Sequence, residues 1–374
     1  MAPRTLACAA FTLALACGLT PLPAPGLAQA AATTPPSAHD PLAAAIARWQ
    51  EKVHSSASVD DEVRDLRASL APLLAEADQA LAQGKRWLAL SRLERVFTDL
   101  EAADYSNAIP GDLRHQMSEL EREWQRLAPE LGANRAPGPR PAFEVLSAAA
   151  RALAEAALAQ MPVYYEASLD YGRNTAPEYG LYYLGAARAQ RDFISLLASL
   201  PRRPKNWTAL APRDVSGEVA AVRDELLAAY RPPLSIERHA VFIRISALLK
   251  EADELGAAGA RFGALLRLLD AKARVARLLH PGRSLSAEAA AARAATFEAG
   301  LASSSLDNTL QRLFLETALF SAAHPDPAAG GGEIAAAIFD DVLPYFPVLL
   351  GPAPPAPQQQ LAEATVTLVR WPYT

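Results

Sequence analysis

Residues 73–93 recur 175 positions downstream, at 248–268, and this internal match limits the architecture more than any other feature of the chain. Leu73-Leu74-Ala75-Glu76-Ala77-Asp78 aligns with Leu248-Leu249-Lys250-Glu251-Ala252-Asp253. Without a gap, Gly84-Lys85-Arg86-Trp87 then meets Gly259-Ala260-Arg261-Phe262. Twelve of the twenty-one positions are identical, where a helix-biased composition would supply about two or three by chance. The same offset sets Arg48 opposite Arg223. A repeat of this length predicts a duplicated helical unit, because one hairpin cannot bury its apolar face alone and needs a related neighbour.

The fold class expected is all-α: two related helical-hairpin halves forming a helical bundle or a short solenoid. Hydrophobic residues make up 51% of the chain, led by Ala and Leu, which lose little entropy in a helix. Leu66, Leu70, Leu73, Leu74, Ala77 and Leu81 fall on one helical face, as do Trp87, Leu90, Leu93, Phe97 and Leu100. Asp40-Pro41 is a start signal, a capping side chain before proline at the first helical position. Further helices are expected near 111–131, 142–161, 176–199, 215–230, 234–256, 259–279, 286–302, 305–323 and 332–343. Pro201-Arg202-Arg203-Pro204 breaks the chain between a first half at 41–205 and a second at 206–350. The segment 351–374 reads as a Pro-rich tail, with a possible short strand at Thr365–Val369.

The repeated hairpin is similar to a tetratricopeptide unit over about twenty residues in each half. Small Ala89 and Ala264 stand five residues after Gly84 and Gly259, as in that family, while the aromatic falls one position later and no tandem period is present. The resemblance implies a helical hairpin and no more; stacked hairpins leave a long groove or seam, for which binding is the natural use.

The first thirty residues are set apart. Arg4 precedes an apolar run from Leu6 to Leu19, and Ala28-Gln29-Ala30 is a small-x-small cleavage site, the pattern of a secretory signal peptide. Residues 31–40 then serve as a linker. Ala14-Leu15-Ala16-Cys17-Gly18 offers an alternative, cleavage before a lipidated Cys17 and an outer-membrane anchor. Both readings export the chain to a bacterial-type envelope, periplasmic or secreted. Its two cysteines, Cys8 and Cys17, lie inside this leader, so the mature part is expected to hold together by its core.

Charge and motifs narrow the function classes. A formal charge of −5, mixed in sign, carries no footprint for nucleic acid. The six histidines are scattered, with no HExxH spacing, and no GxSxG motif is present. No cofactor, metal or catalytic residue is therefore expected. Two constellations remain. The mirrored Glu76, Asp78, Arg86 and Arg92, with Glu251, Asp253, Arg261 and Arg267, are expected to pin each hairpin through Arg–carboxylate pairs. Tyr164, Tyr165, Tyr171, Tyr179, Tyr182 and Tyr183, with Arg173 and Arg188, crowd into one stretch without an obvious counterpart in the second half. Tyrosine offers a flat apolar body and a polar tip, which suits a ligand cleft or a partner surface. The expectation is a non-catalytic envelope protein that binds another envelope protein or acts as a scaffold. The alternative is a periplasmic protein with a tyrosine-lined pocket for a small molecule; a hydrolase without a recognisable motif ranks below both.

Overall fold

A computed structural model describes residues 40–54, 61–109, 111–135, 141–174, 177–302, 304–324 and 330–352. The leader, the linker to residue 39, Cys17 and the Pro-rich tail with its expected strand lie outside the described residues. The described chain is helical almost throughout. In order run α1 (Pro41–His54), α2 (Asp61–Ala82), α3 (Arg86–Ala108), α4 (Leu113–Arg135), the single turn α5 (Pro141–Glu144), α6 (Ala148–Asn174) and α7 (Pro177–Ser199). After a short strand, β1 (Leu210–Pro212), come α8 (Ser216–Ala229), α9 (Leu234–Glu237), α10 (His239–Ala257), α11 (Arg261–Leu279), α12 (Ala287–Ala302), α13 (Thr309–Ala322) and α14 (Gly331–Ala337). A π-helical turn at Ile338–Val342 and a 3₁₀ turn lead into α15 (Phe346–Leu349) and β2 (Leu350–Pro352), which pairs antiparallel with β1.

Sequence periodicity explains most of these elements. In α2, Leu70, Leu74, Ala77 and Leu81 are buried and face α3, whose Leu90, Leu93, Phe97 and Leu100 are buried in turn. Asp40 caps α1 through the Leu42 N–H at 3.0 Å, and both its oxygens accept from Arg86 at 2.7 and 2.9 Å. Trp49, Phe97 and Phe193 pack in a chain, the first pair edge-on and the second tilted, with centroids 5.3 and 5.8 Å apart, joining α1, α3 and α7.

The two turns of the repeated segment are closed alike. Gly84 and Gly259 take left-handed φ angles of 73° and 77°. Gly84 donates to Leu81 and Lys85 to Ala80; Gly259 donates to Gly256 and Ala260 to Leu255. This is a Schellman closure, which needs a residue indifferent to positive φ.

Proline placement departs from the sequence expectation. The helix expected to stop at 161 instead runs through Pro162 to Asn174. Proline removes one backbone donor and crowds the preceding turn at a cost of about 3 kcal/mol. Packing along α7 offsets that cost, with Met161, Tyr165, Leu181 and Leu184 buried together between the helices.

One hydrophobic core reaches from Leu42 to Leu350. It is joined across the sequence by α3 against α13 and α6 against α11, so distant helices pack on each other as in a bundle. The starts of α6 and α13 meet at Asp307, which is 2% exposed. Its carboxylate accepts from the Ala148 N–H at 2.8 Å and from the Thr309 N–H and hydroxyl at 3.3 and 2.7 Å. One carboxylate thereby satisfies two helix N-termini, where backbone donors otherwise lack partners.

Candidate functional site

The repeated arginines do what their spacing suggests. Arg92 Nε stands 3.0 Å from Glu76, and Arg267 Nε stands 2.9 Å from Glu251, each tying the second helix of its hairpin to the first. The other mirrored residues do not pair within their hairpins. Arg86 turns to Asp40, Asp253 meets Arg223 from α8, and Asp78 and Arg261 lie exposed. Their positions near the hairpin turn bring them closer to the preceding helix, or to solvent, than to each other.

Arg92 and Arg267 also line a cavity of about 140 Å³ between α3, α6, α7, α10, α11, α13 and α14. That volume is of the order that accepts a benzene-sized molecule. Its apolar lining includes Leu153, Leu266, Leu313, Phe314, Ile334 and Ile338. The rest carries Ser91, Thr98, Gln160, Tyr164, Gln190 and Thr317 among charged groups.

Those charges are nearly balanced. Five arginines stand on the wall, and among the described residues each has a carboxylate of its own. Arg92 has Glu76, Arg95 has Asp99 at 3.3 Å, Arg267 has Glu251, Arg274 has Asp270 at 3.2 Å, and Arg277 has Glu333 at 3.9 Å. Of the carboxylates only Glu251, Asp270 and Glu94 line the cavity, while Glu76, Asp99 and Glu333 stand behind its wall. Among the described residues Glu94 pairs with Arg267 at 4.0 Å, where Glu251 is already closer. Burial raises the Glu94 pKa against the pull of Arg267, and Glu251 raises it further. Arg267 is 4% exposed. Burial works against its charge, but Glu251, Glu94, Asp270 and Tyr164 outweigh it and hold its pKa above the ordinary value.

Gln190, also among the lining residues, has one amide oxygen without a hydrogen bond. It is 2% exposed and donates from Nε2 to Thr98 Oγ1 at 2.6 Å. Thr98 spends its single hydroxyl hydrogen on the Glu94 carbonyl at 2.9 Å, so toward Gln190 it can only accept. The amide orientation is thereby fixed, and Gln190 Oε1 faces away, buried and without a hydrogen-bond partner.

The tyrosines divide into three groups. Tyr164 lines the cavity, its hydroxyl pushed to a higher pKa by burial and then by Asp99, Glu94 and Glu251. Tyr183 stacks on Tyr164 at 6.4 Å and on Tyr171 at 5.1 Å; Tyr171 also meets Tyr179 at 6.0 Å, and Tyr182 meets Tyr183 edge-on at 5.7 Å. These four form an aromatic surface leading away from the cavity wall. Tyr165 points the other way, fully buried against Trp124 at 5.7 Å. Of the six, Tyr164 alone lines this cavity. Consecutive residues on a helix diverge by about 100°, so a run of tyrosines cannot face one cavity. Arg188 sits over the Tyr105 ring at 4.4 Å and reaches Glu123 at 3.9 Å, outside the cavity. The Arg173 side chain lies outside the described residues.

Sequence reasoning missed Glu94, Thr98 and Gln190. A signal for the first existed, since the position matching Glu94 in the repeat is Leu269. A charge replacing a buried leucine between otherwise matching helices marks a departure from the common pattern. Gln190 carries no such signal.

Among the described residues, no group of three or more His, Cys, Asp or Glu side chains is placed to hold a metal ion. No described helix is long and apolar enough to cross a membrane. Comparison with protein-family models, with characterised proteins and with solved structures gives no match to this chain.

Proposed function

We propose that this is an exported, non-catalytic envelope protein that binds a small molecule in the cavity between α3, α6, α7, α11 and α13. The observation that carries the proposal is the cavity itself, about 140 Å³ enclosed by apolar side chains together with polar and charged ones. Concave sites with a few oriented polar groups in an apolar wall are the usual form of small-molecule pockets.

Duplication accounts for where such a cavity would form. We read 41–205 and 206–350 as related halves, each opening with a tetratricopeptide-like hairpin. The boundaries of α1 and α8, the ends of α2 and α10, and the starts of α3 and α11 coincide under the 175-residue offset. Past the hairpins, α6 and α13 each carry an Arg and a Glu four residues apart, Arg151/Glu155 and Arg312/Glu316. Glu155 accepts from the Gly263 N–H and Glu316 from the Leu88 N–H, both at 2.9 Å. Those two amides are again 175 positions apart. On this reading each half caps the repeated helix of the other, and the cavity is the space left between them.

The test is a thermal-shift screen of the mature protein against a small-molecule library, repeated on Ala273→Phe, which fills the cavity. Binders are expected to stabilise the wild type saturably and to lose that effect in the filled variant, with its helicity checked by circular dichroism. Shifts that survive the filling, or none across the library, would remove the reading.

A second reading, docking to another envelope protein, has its own observation. Leu227, Tyr230, Ile236 and Ile243 are 62%, 43%, 74% and 42% exposed along α8–α10, more apolar surface in one stretch than solvent exposure explains. Co-purification of a partner from envelope extract, lost on Ile236→Lys, would favour it. The mass of the mature N-terminus separates the two routes of export, cleavage after Ala30 or lipidation at Cys17.

A further inference from the structure

We infer that the tip formed by the end of α8, α9 and the start of α10 rests on an anionic phospholipid surface, with its apolar side chains inserted and its arginines on lipid phosphates. The inference is independent of the cavity, and it commits this patch to a membrane rather than to a protein. The chain turns back on itself here with apolar side chains on both faces. Leu226, Phe242 and Ile245 are buried beneath the tip, and Leu234 and Val241 pack partly buried against the same core. The inward set already supplies the packing, so the exposed Leu227, Tyr230, Ile236 and Ile243 form a surface patch that the fold does not use. Tyr230 is fixed within it, edge-on to Phe242 at 4.9 Å with its hydroxyl 3.0 Å from His239 Nδ1. An apolar ring with a polar tip suits the headgroup layer of a bilayer.

Charge selects the partner. From Leu227 to Ile245 stand Arg231, Arg238 and Arg244 against one carboxylate, Glu237, on a chain whose formal charge is −5. All three arginines are exposed, and among the described residues none of them pairs with a carboxylate. The α8 carboxylates Asp224 and Glu225 lie further back from the tip. Each arginine is a near neighbour of an exposed apolar residue: Arg231 follows Tyr230, Arg244 follows Ile243, and Arg238 comes two after Ile236. A guanidinium on an apolar stem reaches a phosphate while its neighbours enter the acyl boundary, the interleaved pattern of a surface that lies on a bilayer. The backbone fits the same layer. Ser235 donates to Arg231, Ile236 to Pro233 and Arg238 to Leu234, while Val241 and Phe242 both donate to Arg238. These donors are spent within the protein, as a water-poor surrounding demands.

Flotation of the intact mature protein with lipid vesicles tests this. Vesicles of equimolar phosphatidylglycerol and phosphatidylcholine should bind it, less as salt rises, and pure phosphatidylcholine should bind at least about tenfold more weakly. Ile236→Gln and Arg238→Gln, both at exposed sites and with helicity checked by circular dichroism, should each weaken binding about fivefold. Glu237→Gln removes the one carboxylate of the tip and should tighten binding by about the same factor, a gain that misfolding would not produce. Equal binding to both vesicles, binding to neither, or a Glu237→Gln variant that binds no tighter overturns the inference. A loss in Arg238→Gln without one in Ile236→Gln also overturns it, since that is adsorption without insertion. Where vesicles do not bind, a protein partner lost on Ile236→Lys assigns the patch to protein docking, and dimers dispersed by the same substitution assign it to a second copy of the chain.

Discussion

In the α2–α3 hairpin, Arg92 meets Glu76 with 12% and 14% of the two side chains exposed; in the α10–α11 hairpin, Arg267 meets Glu251 at the same spacing but is itself only 4% exposed. The turns before them share one glycine geometry and one hydrogen-bond pattern. What differs is the company. Arg92 serves Glu76, whereas Arg267 sits between Glu251 and Glu94, a residue from the opposite hairpin at a position where its own hairpin has Leu269. The same local motif is a clip within one hairpin and a bridge between two in the other. Identical short-range chemistry acquires a different role through one substitution on the facing helix.

Removing each arginine breaks this comparison most directly. Arg267→Met strips two largely buried carboxylates of their cation and is expected to cost about 3–5 kcal/mol, the range for an orphaned buried pair. Arg92→Met leaves one carboxylate, Glu76, without its cation where Arg267→Met leaves two, and should cost about half as much. Urea unfolding of both variants gives the two numbers, and equal losses would refute the distinction between clip and bridge.

A second contrast lies at the starts of the same two helices. Glu155, at the start of α11, accepts from Gly263 and is bridged by Arg151 at 2.8 Å. A Cβ at Gly263 would stand 3.1 Å from Glu155 Cβ and 3.2 Å from the Ala156 nitrogen, a tight fit against α6. Glu316, at the start of α3, accepts from Leu88, while Arg312 is drawn aside to Glu298 at 2.8 Å. Burial lifts the Glu316 pKa to about 7, against the Leu88 and Trp87 amides, Arg312 and Lys85, which favour the charged form. Since its folded pKa stands above the ordinary 4.5, the native chain holds this proton more tightly than the unfolded one. Stability should therefore fall as pH rises from about 4.5 to about 7 and level off above, by about 3 kcal/mol at most. Chemical denaturation at a series of pH values, on wild type and Glu316→Gln, checks this. The variant should lose that part of the slope, and an unchanged slope would mean that Glu316 is not its source.

The arginine pairs and the glutamate caps also show which features the sequence made legible. Helices, turns and the Arg92–Glu76 and Arg267–Glu251 pairs follow from short-range spacing, which a repeat displays twice. The course of α6 through Pro162 was not legible, because the contacts that offset the proline come from α7. Nor was the cavity, whose walls come from helices scattered over almost two hundred and fifty residues, from Ser91 to Ile338. The tyrosine cluster was visible as composition, yet which ring reached the cavity depended on helical phase set by tertiary packing. Asp307, serving two helix starts at once, looks in the sequence like an ordinary cap for α13.

The smallest expected effect tests the part of the comparison that should hold without difference. A Cβ at Gly259 would meet no atom within 4 Å, so Gly259→Ala carries only the backbone cost of a left-handed φ, about 1 kcal/mol. Gly84 has nearly the same φ and the same hydrogen bonds, and Gly84→Ala should cost about the same. Melting both variants beside the wild type under one buffer measures the pair. Matching losses would make the turns interchangeable units, with their differences confined to what the following helices touch. A Gly84→Ala loss larger by more than about 1 kcal/mol would place a further contact at the first turn, and the likeness of the two hairpins would then end before Arg92 rather than at Glu94.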